Sequence, residues 1–213
     1  MPSIDSLNIK LFCDGADFDS ILALCSDPRV KGFTTNPTLM RKAGVVDYEA
    51  FARKILSVIQ DRPVSFEVFA DDINGMEAQA LTIASWGRNV NVKIPVTNQA
   101  GEFMGNLIRR LSASGVVVNV TAILTLDQVD RVASVLDPDT PAIVSIFAGR
   151  IADTGVDPAP LMRNAVEILH RCPKAELLWA SPRELLNIFQ ADQAGCHIIT
   201  VPPEILGKNE PRG

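Results

Sequence analysis

The sequence predicts an α/β fold, a single (β/α)8 barrel of the TIM type that spans residues 1–213. Short apolar segments alternate with amphipathic helical segments along the chain, and no Ser/Gly-rich linker interrupts them. Strands that alternate with helices form right-handed parallel units, and eight such units close a barrel. An open doubly wound sheet is the alternative. It usually carries a glycine-rich phosphate turn after its first strand, whereas the segment after Cys13 has one glycine, Gly15.

Eight segments rich in apolar and β-branched residues are the predicted strands. Each has the length usual for a buried strand, about four to eight residues. In chain order they cover residues 9–14, 32–36, 64–69, 90–96, 116–123, 142–148, 176–181 and 197–201.

Several of the predicted helices have recognisable starts. Asp47 can cap a helix over 48–60, and Thr125 with Gln128 forms a capping-box pattern. Pro158-Ala159-Pro160 opens a helix that ends near residue 170. Ser181-Pro182-Arg183-Glu184 is a further capping-box pattern, with proline at the first helical position. Helical spacing also predicts helices over 18–24, 76–86 and 102–111.

Charge and hydropathy exclude several classes of protein. The net charge is −5, and no basic stripe is present to meet nucleic-acid phosphates. The longest apolar runs are strand-sized, so we expect no membrane span. The first residues lack a charged segment followed by an apolar one, so we expect no secretory signal. We therefore expect a cytoplasmic protein that binds small molecules rather than nucleic acid or membrane.

The cysteines and histidines have no spacing typical of metal ligands or of catalytic pairs. The four cysteines lie far apart without a CxxC motif and are predicted to be buried, reduced thiols. The two histidines share no metal-ligand spacing with each other or with a cysteine. These residues are Cys13, Cys25, Cys172, Cys196, His170 and His197. We expect neither a metal nor a cofactor.

The fourth predicted strand has a lysine at the centre of a β-branched run. Side chains alternate across a strand, so Val92 and Ile94 share one face, and Asn91 and Lys93 share the other. The apolar face is complete without Lys93, which then points into the barrel. A lysine enclosed there is desolvated, which favours the neutral amine that attacks a carbonyl to form a Schiff base. Lys93 is the candidate nucleophile.

Polar side chains recur at the carboxyl ends of the other predicted strands, which is where barrels hold active sites. The same alternation assigns Ala122 to the outer face of the fifth strand. It assigns to the inner faces, or to the strand ends, Asp14, Thr34-Thr35-Asn36, Glu67, Asn119, Thr121, Ser145, Phe147 and Ser181. Any single polar residue of this kind can be explained as a hydrogen-bonded group of the barrel interior. Burying so many without partners or ligand is costly. Asp14 and Glu67 are carboxylates available for proton transfer.

Two arginines and a serine near the last strands indicate an anion site. Arg150 follows the sixth strand, and Ser181 and Arg183 lie at a predicted helix N-terminus after the seventh. Such a terminus with nearby arginines suits a phosphate, and barrels often bind phosphate at their last strands. Two alternatives stay open: a capping box alone explains Ser181, and surface ion pairs alone explain both arginines.

Six motifs follow one another at these strand ends, and together they are specific. They are Phe12-Cys13-Asp14-Gly15-Ala16, Thr34-Thr35-Asn36-Pro37-Thr38, Val92-Lys93-Ile94-Pro95, Asn119-Val120-Thr121, Ser145-Ile146-Phe147-Ala148-Gly149-Arg150 and Ala180-Ser181-Pro182-Arg183. Over residues 9–205 the chain resembles the transaldolase family of class I, Schiff-base aldolases, especially its short members related to fructose-6-phosphate aldolase. The resemblance implies a homo-oligomeric enzyme of the pentose phosphate pathway.

The resemblance also implies a role for each matching residue. Lys93 would form the Schiff base with C2 of a ketose phosphate. Asp14 would take the C4 hydroxyl proton as the C3–C4 bond breaks and later return it to the acceptor aldehyde. Glu67 and Thr121 would hold the water that shuttles protons. The implied substrate contacts come from Asn36 and Asn119 to the dihydroxyacetone hydroxyls, with Ser145 nearby, and from Arg150, Ser181 and Arg183 to the distal phosphate.

Two positions discriminate within the resembled family. Fructose-6-phosphate aldolases carry glutamine where Glu67 stands and tyrosine where Phe147 stands, whereas transaldolases carry Glu and Phe. A phenol can protonate the enamine and release dihydroxyacetone, whereas a phenyl ring cannot. The resemblance therefore implies transfer of a dihydroxyacetone unit from a ketose phosphate of the fructose 6-phosphate or sedoheptulose 7-phosphate type to an aldose phosphate. Two alternatives remain: cleavage that releases dihydroxyacetone, and a non-catalytic barrel that binds sugar phosphates.

The chain departs from the resembled pattern around the anion site. The family usually reads Ser-Pro-Phe where this chain has Ser145-Ile146-Phe147, and Ala-Ser-Phe where it has Ala180-Ser181-Pro182. These changes leave open an unusual sugar phosphate, or a substrate with another anionic group.

Overall fold

The strands close into one parallel barrel. The computed structural model describes residues 4–15, 17–35, 40–41 and 44–207. The strands follow one another around the barrel in chain order, and the first pairs with the eighth. The predicted (β/α)8 fold is therefore confirmed, and the open-sheet alternative is excluded. One domain over all 213 residues stays a prediction.

All eight predicted strands are present, most of them with shorter ends. The second strand begins two residues before its predicted start, so Gly32 lies within the strand and does not open it. A Cβ at Gly32 would lie 2.5 Å from the Phe12 ring, so the glycine makes room for that ring inside the barrel. The strands are β1 (Lys10–Asp14), β2 (Val30–Thr34), β3 (Val64–Glu67), β4 (Val90–Pro95), β5 (Val118–Ile123), β6 (Ala142–Ile146), β7 (Ala175–Trp179) and β8 (Ile198–Val201).

The helices surround the barrel, and two of the predicted starts are confirmed in detail. The Asp47 carboxylate accepts from the backbone N–H of Ala50 at 2.9 Å, and Thr125 and Gln128 form the full capping box. The short helices α6 and α9 were not predicted. The helices are α1 (Phe18–Cys25), α2 (Tyr48–Val58), α3 (Ile73–Ala84), α4 (Gly105–Ala113), α5 (Leu126–Ala133), α6 (Ala148–Ala152), α7 (Ala159–Leu169), α8 (Leu186–Gln193) and α9 (Pro203–Leu206), preceded by a 3-10 turn at Ile4–Ser6.

The predicted capping box at Ser181 and Glu184 is wrong. Helix α8 begins at Leu186, and no side chain caps it. Ser181 has φ +58°, whereas a capping residue is extended. The Asn187 Oδ1 instead accepts from the backbone N–H groups of Arg183 at 2.7 Å and Glu184 at 3.1 Å. No helix N-terminus therefore stands at Ser181 to bind an anion.

Strand β5 contains a bulge beside the carboxyl end of the barrel. Val120 pairs with Val144, but Ile123 pairs with Ile146, so β5 has one residue more than β6 over this stretch. Ala122 has φ +62° within the bulge. Thr121 and Ala122 consequently both line the cavity described below, and the prediction that Ala122 faces outward is wrong.

Apolar side chains fill two separate regions. The larger region lies between the strands and the helices and includes Val92 and Ile94, both fully buried. The smaller lies inside the barrel and consists of Phe12, Ile143, Leu178, Ala180 and Ile198, with Phe147 packed against it. Leu178 and Ala180 also line the cavity, so this inner cluster closes part of its floor.

The cysteines of the described residues are all free. Three are buried as predicted, whereas Cys25 is half-buried. Burial raises the pKa of the Cys13 thiol to about 12. Within the described ranges no three His, Cys, Asp or Glu side chains are grouped so as to hold a metal. None of the helices in those ranges has the length and apolar character needed to cross a membrane.

Candidate active site

A cavity of about 680 Å3 lies at the carboxyl ends of the strands. Every strand, or the residues just after it, contributes to the lining, because all eight carboxyl ends meet at this mouth of the barrel. Of the predicted site residues, Asn36 lies outside the described residues. The ten others all line the cavity: Asp14, Glu67, Lys93, Asn119, Thr121, Ser145, Phe147, Arg150, Ser181 and Arg183.

Lys93 lies at the inner end of this cavity. It is 8% exposed, and its Nζ lies 2.9 Å from Glu67 Oε2 on the neighbouring strand. The same Nζ donates a hydrogen bond to the Thr35 carbonyl at 3.0 Å. The parallel register places Glu67 directly beside Lys93. Two acceptors, Thr35 just after β2 and Glu67 on β3, therefore fix the amine at the position where it meets the cavity.

Asp14 stands in a different environment from Glu67. The Thr34 hydroxyl donates to Asp14 Oδ1 at 3.1 Å, and the hydroxyls of Thr34 and Thr200 lie 2.5 Å apart. Asp14 therefore accepts from the neutral Thr34 hydroxyl, whereas Glu67 contacts the amine. Two carboxylates with different partners are suited to different steps of acid–base chemistry.

The inner wall between β3 and β6 carries a chain of neutral polar groups. The Ser145 hydroxyl donates to Asn119 Oδ1 at 2.7 Å, and Asn119 Nδ2 donates to the Ser65 hydroxyl at 3.2 Å. All three side chains are buried, and Asn119 is fully enclosed. Because both ends of its amide are engaged, Asn119 has a fixed orientation beside Lys93, with which it shares a register position.

The arginines at the outer end of the cavity differ in their contacts. Arg183 donates through Nε and Nη2 to Asp153 at 2.9 and 2.5 Å, and through Nη1 to the Ser181 carbonyl at 3.0 Å. These bonds hold the pKa of the Asp153 carboxyl below its ordinary value. Arg183 thus forms the ion pair that was the alternative explanation for it, yet it also lines the cavity.

Arg150 has fewer hydrogen-bond partners than Arg183 among the described residues. Its guanidinium lies 5.3 Å from the centre of the Phe147 ring, within the range of a cation–π contact. Within the described part of the chain, no carboxylate lies at ion-pair distance from Arg150. Its side chain is therefore the more available donor for an anionic group at this end of the cavity.

Gly149, in helix α6, allows the loop after β7 to approach this helix beside the two arginines. Its backbone N–H donates to the Ala180 carbonyl at 3.3 Å. A Cβ at this position would lie 1.6 Å from the Ser181 carbonyl oxygen and 3.3 Å from Arg183 Cζ. Only glycine permits this approach, so Gly149 lets the loop after β7 pack against the start of helix α6.

The sequence prediction missed several lining residues, of which Thr200 is the most informative. It lies inside the barrel on β8 and is 6% exposed. Thr200 lies two residues after Ile198 in an otherwise apolar strand, so the two side chains share one face. A threonine on that face was a detectable signal. Thr34 lines the cavity as expected from its place at a strand end, and the missed lining residues are Ala122, Leu178, Ala180, Pro182, Thr200 and Pro202.

Known proteins provide comparisons for most of the chain. The family model described as transaldolase/fructose-6-phosphate aldolase matches residues 11–210. A "Probable transaldolase" of Dehalococcoides mccartyi is 35% identical over 201 residues, which cover 93% of this chain and 88% of the relative. A "Probable transaldolase 2" of Listeria monocytogenes is 34% identical over 201 residues, covering 94% of this chain and 88% of the relative.

Solved structures agree with the barrel at much lower sequence identity. A 3-hexulose-6-phosphate synthase aligns with a TM-score of 0.61 and 15% identity, over 93% of this chain and 92% of that one. A protein titled KGPDC from Streptococcus mutans aligns with a TM-score of 0.60 and 11% identity, over 97% and 91%. These likenesses show the fold alone. From the family match and its relatives, the chain belongs to the transaldolase/fructose-6-phosphate aldolase family of enzymes.

Proposed function

We propose that the protein is a transaldolase that transfers a dihydroxyacetone unit from a ketose phosphate to an aldose phosphate through a Schiff base on Lys93. The observation that carries the proposal is the position of the Lys93 amine, buried at the inner end of the cavity with Glu67 at 2.9 Å. The ring of polar groups around it supports the same activity, and the family membership agrees with it.

The first step is imine formation. The neutral Lys93 amine attacks C2 of the ketose, and the carbonyl oxygen takes a proton to give a carbinolamine. Loss of that oxygen as water then gives the imine. Glu67, at hydrogen-bond distance from Nζ, is placed to exchange these protons directly or through a water that Thr121 helps to hold.

The second step breaks and remakes a carbon–carbon bond. Asp14 accepts the C4 hydroxyl proton, the C3–C4 bond breaks, and its electron pair passes into the imine to form an enamine. An aldose phosphate leaves with the new aldehyde. The enamine carbon then attacks the acceptor aldehyde, Asp14 returns the proton to the new hydroxyl, and water hydrolyses the imine. Asn119 and Ser145 lie where they can hydrogen-bond the hydroxyls of the three-carbon unit.

Phe147 supports transfer over simple cleavage. Its ring lines the cavity and lies against Arg150. A phenyl ring cannot donate a proton, so it cannot quench the enamine as a phenol can. The enamine then persists until an acceptor aldehyde arrives. An aldolase that releases dihydroxyacetone is the second candidate, and it predicts turnover without an acceptor.

The anionic end of the substrate is assigned to Arg150, Ser181 and Arg183. Arg150 supplies donors that no described carboxylate occupies, and Arg183 adds charge while it remains bonded to Asp153. Whether the group bound there is a phosphate is tested by comparing donors with and without it. Fructose 6-phosphate should bind at least tenfold more tightly than fructose, since charge-assisted hydrogen bonds contribute about 1.5–3 kcal/mol each.

Trapping the imine tests the proposal. Borohydride added with fructose 6-phosphate should attach a reduced three-carbon or hexose-phosphate adduct to Lys93, seen by intact mass and located by peptide mapping. Lys93→Met should lose the adduct and all turnover. Lys10→Met is the matched control, because Lys10 pairs with Glu176 outside the cavity. No adduct on the folded wild type, across a panel of ketose phosphates, would contradict the proposal.

The setting of the reaction belongs to the same proposal. Free cysteines throughout the described residues are consistent with a reducing compartment such as the cytoplasm. Sugar phosphates as substrates are consistent with the family. A homo-oligomer and a place in the pentose phosphate pathway stay predictions. Light scattering in solution tests the first, and turnover with sedoheptulose 7-phosphate as donor tests the second.

A further inference from the structure

The hydrogen-bond ladder between β2 and β3 opens next to Lys93. The Thr35 N–H donates to the Ser65 carbonyl at 3.1 Å. In a regular parallel ladder the next bond runs from the Glu67 N–H to the Thr35 carbonyl. Here the Glu67 N–H donates to the Tyr48 hydroxyl at 2.7 Å. The Thr35 carbonyl instead accepts from Lys93 Nζ at 3.0 Å.

The Tyr48 hydroxyl replaces two ladder partners at once. Besides accepting from the Glu67 N–H, it donates to the Glu67 carbonyl at 3.0 Å. A continued ladder needs the backbone N–H of residue 37 as the donor to that carbonyl. Residue 37 is a proline, which has no N–H. The hydroxyl therefore supplies a donor that Pro37 lacks, and an acceptor that leaves the Thr35 carbonyl to Lys93 Nζ.

Aromatic packing holds the hydroxyl in this position. The Tyr48 ring makes edge contacts with Phe69, Trp86 and Phe66, with ring centres 4.7, 5.5 and 6.1 Å apart. Burial raises the pKa of the Tyr48 phenol, so the group stays protonated and able to donate. Tyr48 opens helix α2 and is not among the residues that line the cavity. It contacts the backbone of Glu67, which carries the carboxylate beside Lys93.

We propose that Tyr48 is a positioning residue for Schiff-base formation at Lys93, an inference that rests on the function proposed above. Its hydroxyl keeps the ladder open, so that the Thr35 carbonyl and the Glu67 carboxylate both converge on Nζ. Without the hydroxyl, the Glu67 N–H competes for the Thr35 carbonyl. The amine then loses one of its two acceptors, and the backbone that carries Glu67 shifts.

Tyr48→Phe tests this role, because it removes the hydroxyl and keeps the ring. We expect kcat and the single-turnover rate of imine formation to fall on the order of 10- to 100-fold, the cost of a small misplacement of a reacting group. KM for the ketose phosphate should change less than about twofold, because Tyr48 does not line the cavity. Phe69→Leu is the matched control, since it removes one of the three ring contacts and keeps the hydroxyl with both of its bonds to the Glu67 backbone. It should leave kcat unchanged.

A second measurement needs no turnover. Tyr48 is the only tyrosine in the chain, so 3-fluorotyrosine labels this one position. Its fluorine resonance should shift in Lys93→Met, which frees the Thr35 carbonyl, and stay in place in Lys10→Met. The fluorine measurement also tests the positioning role of Tyr48 if Tyr48→Phe fails to fold.

The outcomes separate the two proposals. Wild-type trapping together with unchanged kcat in Tyr48→Phe overturns the positioning role and leaves the Schiff base intact. A fluorine resonance insensitive to Lys93→Met overturns it as well. A wild type that is never trapped overturns the proposed function, whatever the resonance does.

Discussion

Gly149→Ala is expected to displace the anion end of the cavity while sparing the amine. The added Cβ would lie 1.6 Å from the Ser181 carbonyl oxygen. Since contacts under 3.0 Å are essentially never observed, the Ser181 loop must move by about 1.4 Å. The obstacle is backbone, which cannot rotate away as a flexible side chain can. Overpacking of this kind costs about 1–3 kcal/mol of unfolding free energy.

The kinetic effect should depend on the donor. A shift of this size in Ser181 and Arg183 should raise KM for fructose 6-phosphate on the order of 10- to 100-fold. Turnover of unphosphorylated fructose should fall much less, because Glu67 and Lys93 lie on β3 and β4, away from the Ser181 loop. Both donors are assayed with the same acceptor, and urea unfolding gives the stability.

The matched control for this prediction is Gly207→Ala. Gly207 has φ −64°, and no atom of the described residues lies within 4 Å of its Cβ position. This variant should keep wild-type kinetics and stability. An equal loss for both donors in Gly149→Ala, or no loss for either, would refute the assignment of this loop to the anionic group.

Three further substitutions address separate parts of the cavity. Phe147→Tyr places a phenol near the enamine, so release of dihydroxyacetone without an acceptor should rise at least tenfold; an unchanged ratio of release to transfer would count against the role of the phenyl ring. Thr200→Val keeps the shape and removes the bond to Thr34, which should cost about 1 kcal/mol in urea unfolding and slow C–C cleavage by Asp14 a few-fold in single-turnover assays. Arg150→Gln should raise KM for fructose 6-phosphate at least tenfold without affecting fructose, and a parallel effect on both donors would contradict the anion assignment.

Alternation along regular strands carried most of the prediction. In β4, Val92 and Ile94 are fully buried between strands and helices, while Lys93 lines the cavity, as the parity of the strand requires. The barrel followed from the order of the elements. These features depend on local pattern and on a repeated unit, both of which are visible in one sequence.

The failures occur where the backbone leaves regular geometry. Ala122 was assigned to the outer face because parity holds only without a bulge, and the bulge in β5 depends on pairing with β6. The pattern at Ser181 is typical of a capping box, but Ser181 has a left-handed conformation and its carbonyl lies against Gly149. Both errors arise from contacts between distant segments, which local spacing does not contain.

The hydrogen-bond partners of the site were equally inaccessible from sequence. Nothing in the local pattern around Lys93 indicates that the Thr35 carbonyl would accept from its amine. Tyr48 lies 19 residues before Glu67, at the start of helix α2. Its role depends on how this helix packs, because the packing places the hydroxyl at the open ladder. Residue types at strand ends predict which groups meet, but the packing of the helices decides how they are held.

The measurement that tests the central claim most directly is borohydride trapping with fructose 6-phosphate, read by intact mass and peptide mapping. We expect one reduced adduct per chain, located on Lys93, present in Lys10→Met and absent in Lys93→Met. An adduct on another lysine, or no adduct on folded wild-type protein that still turns over its substrate, would contradict a Schiff base at Lys93.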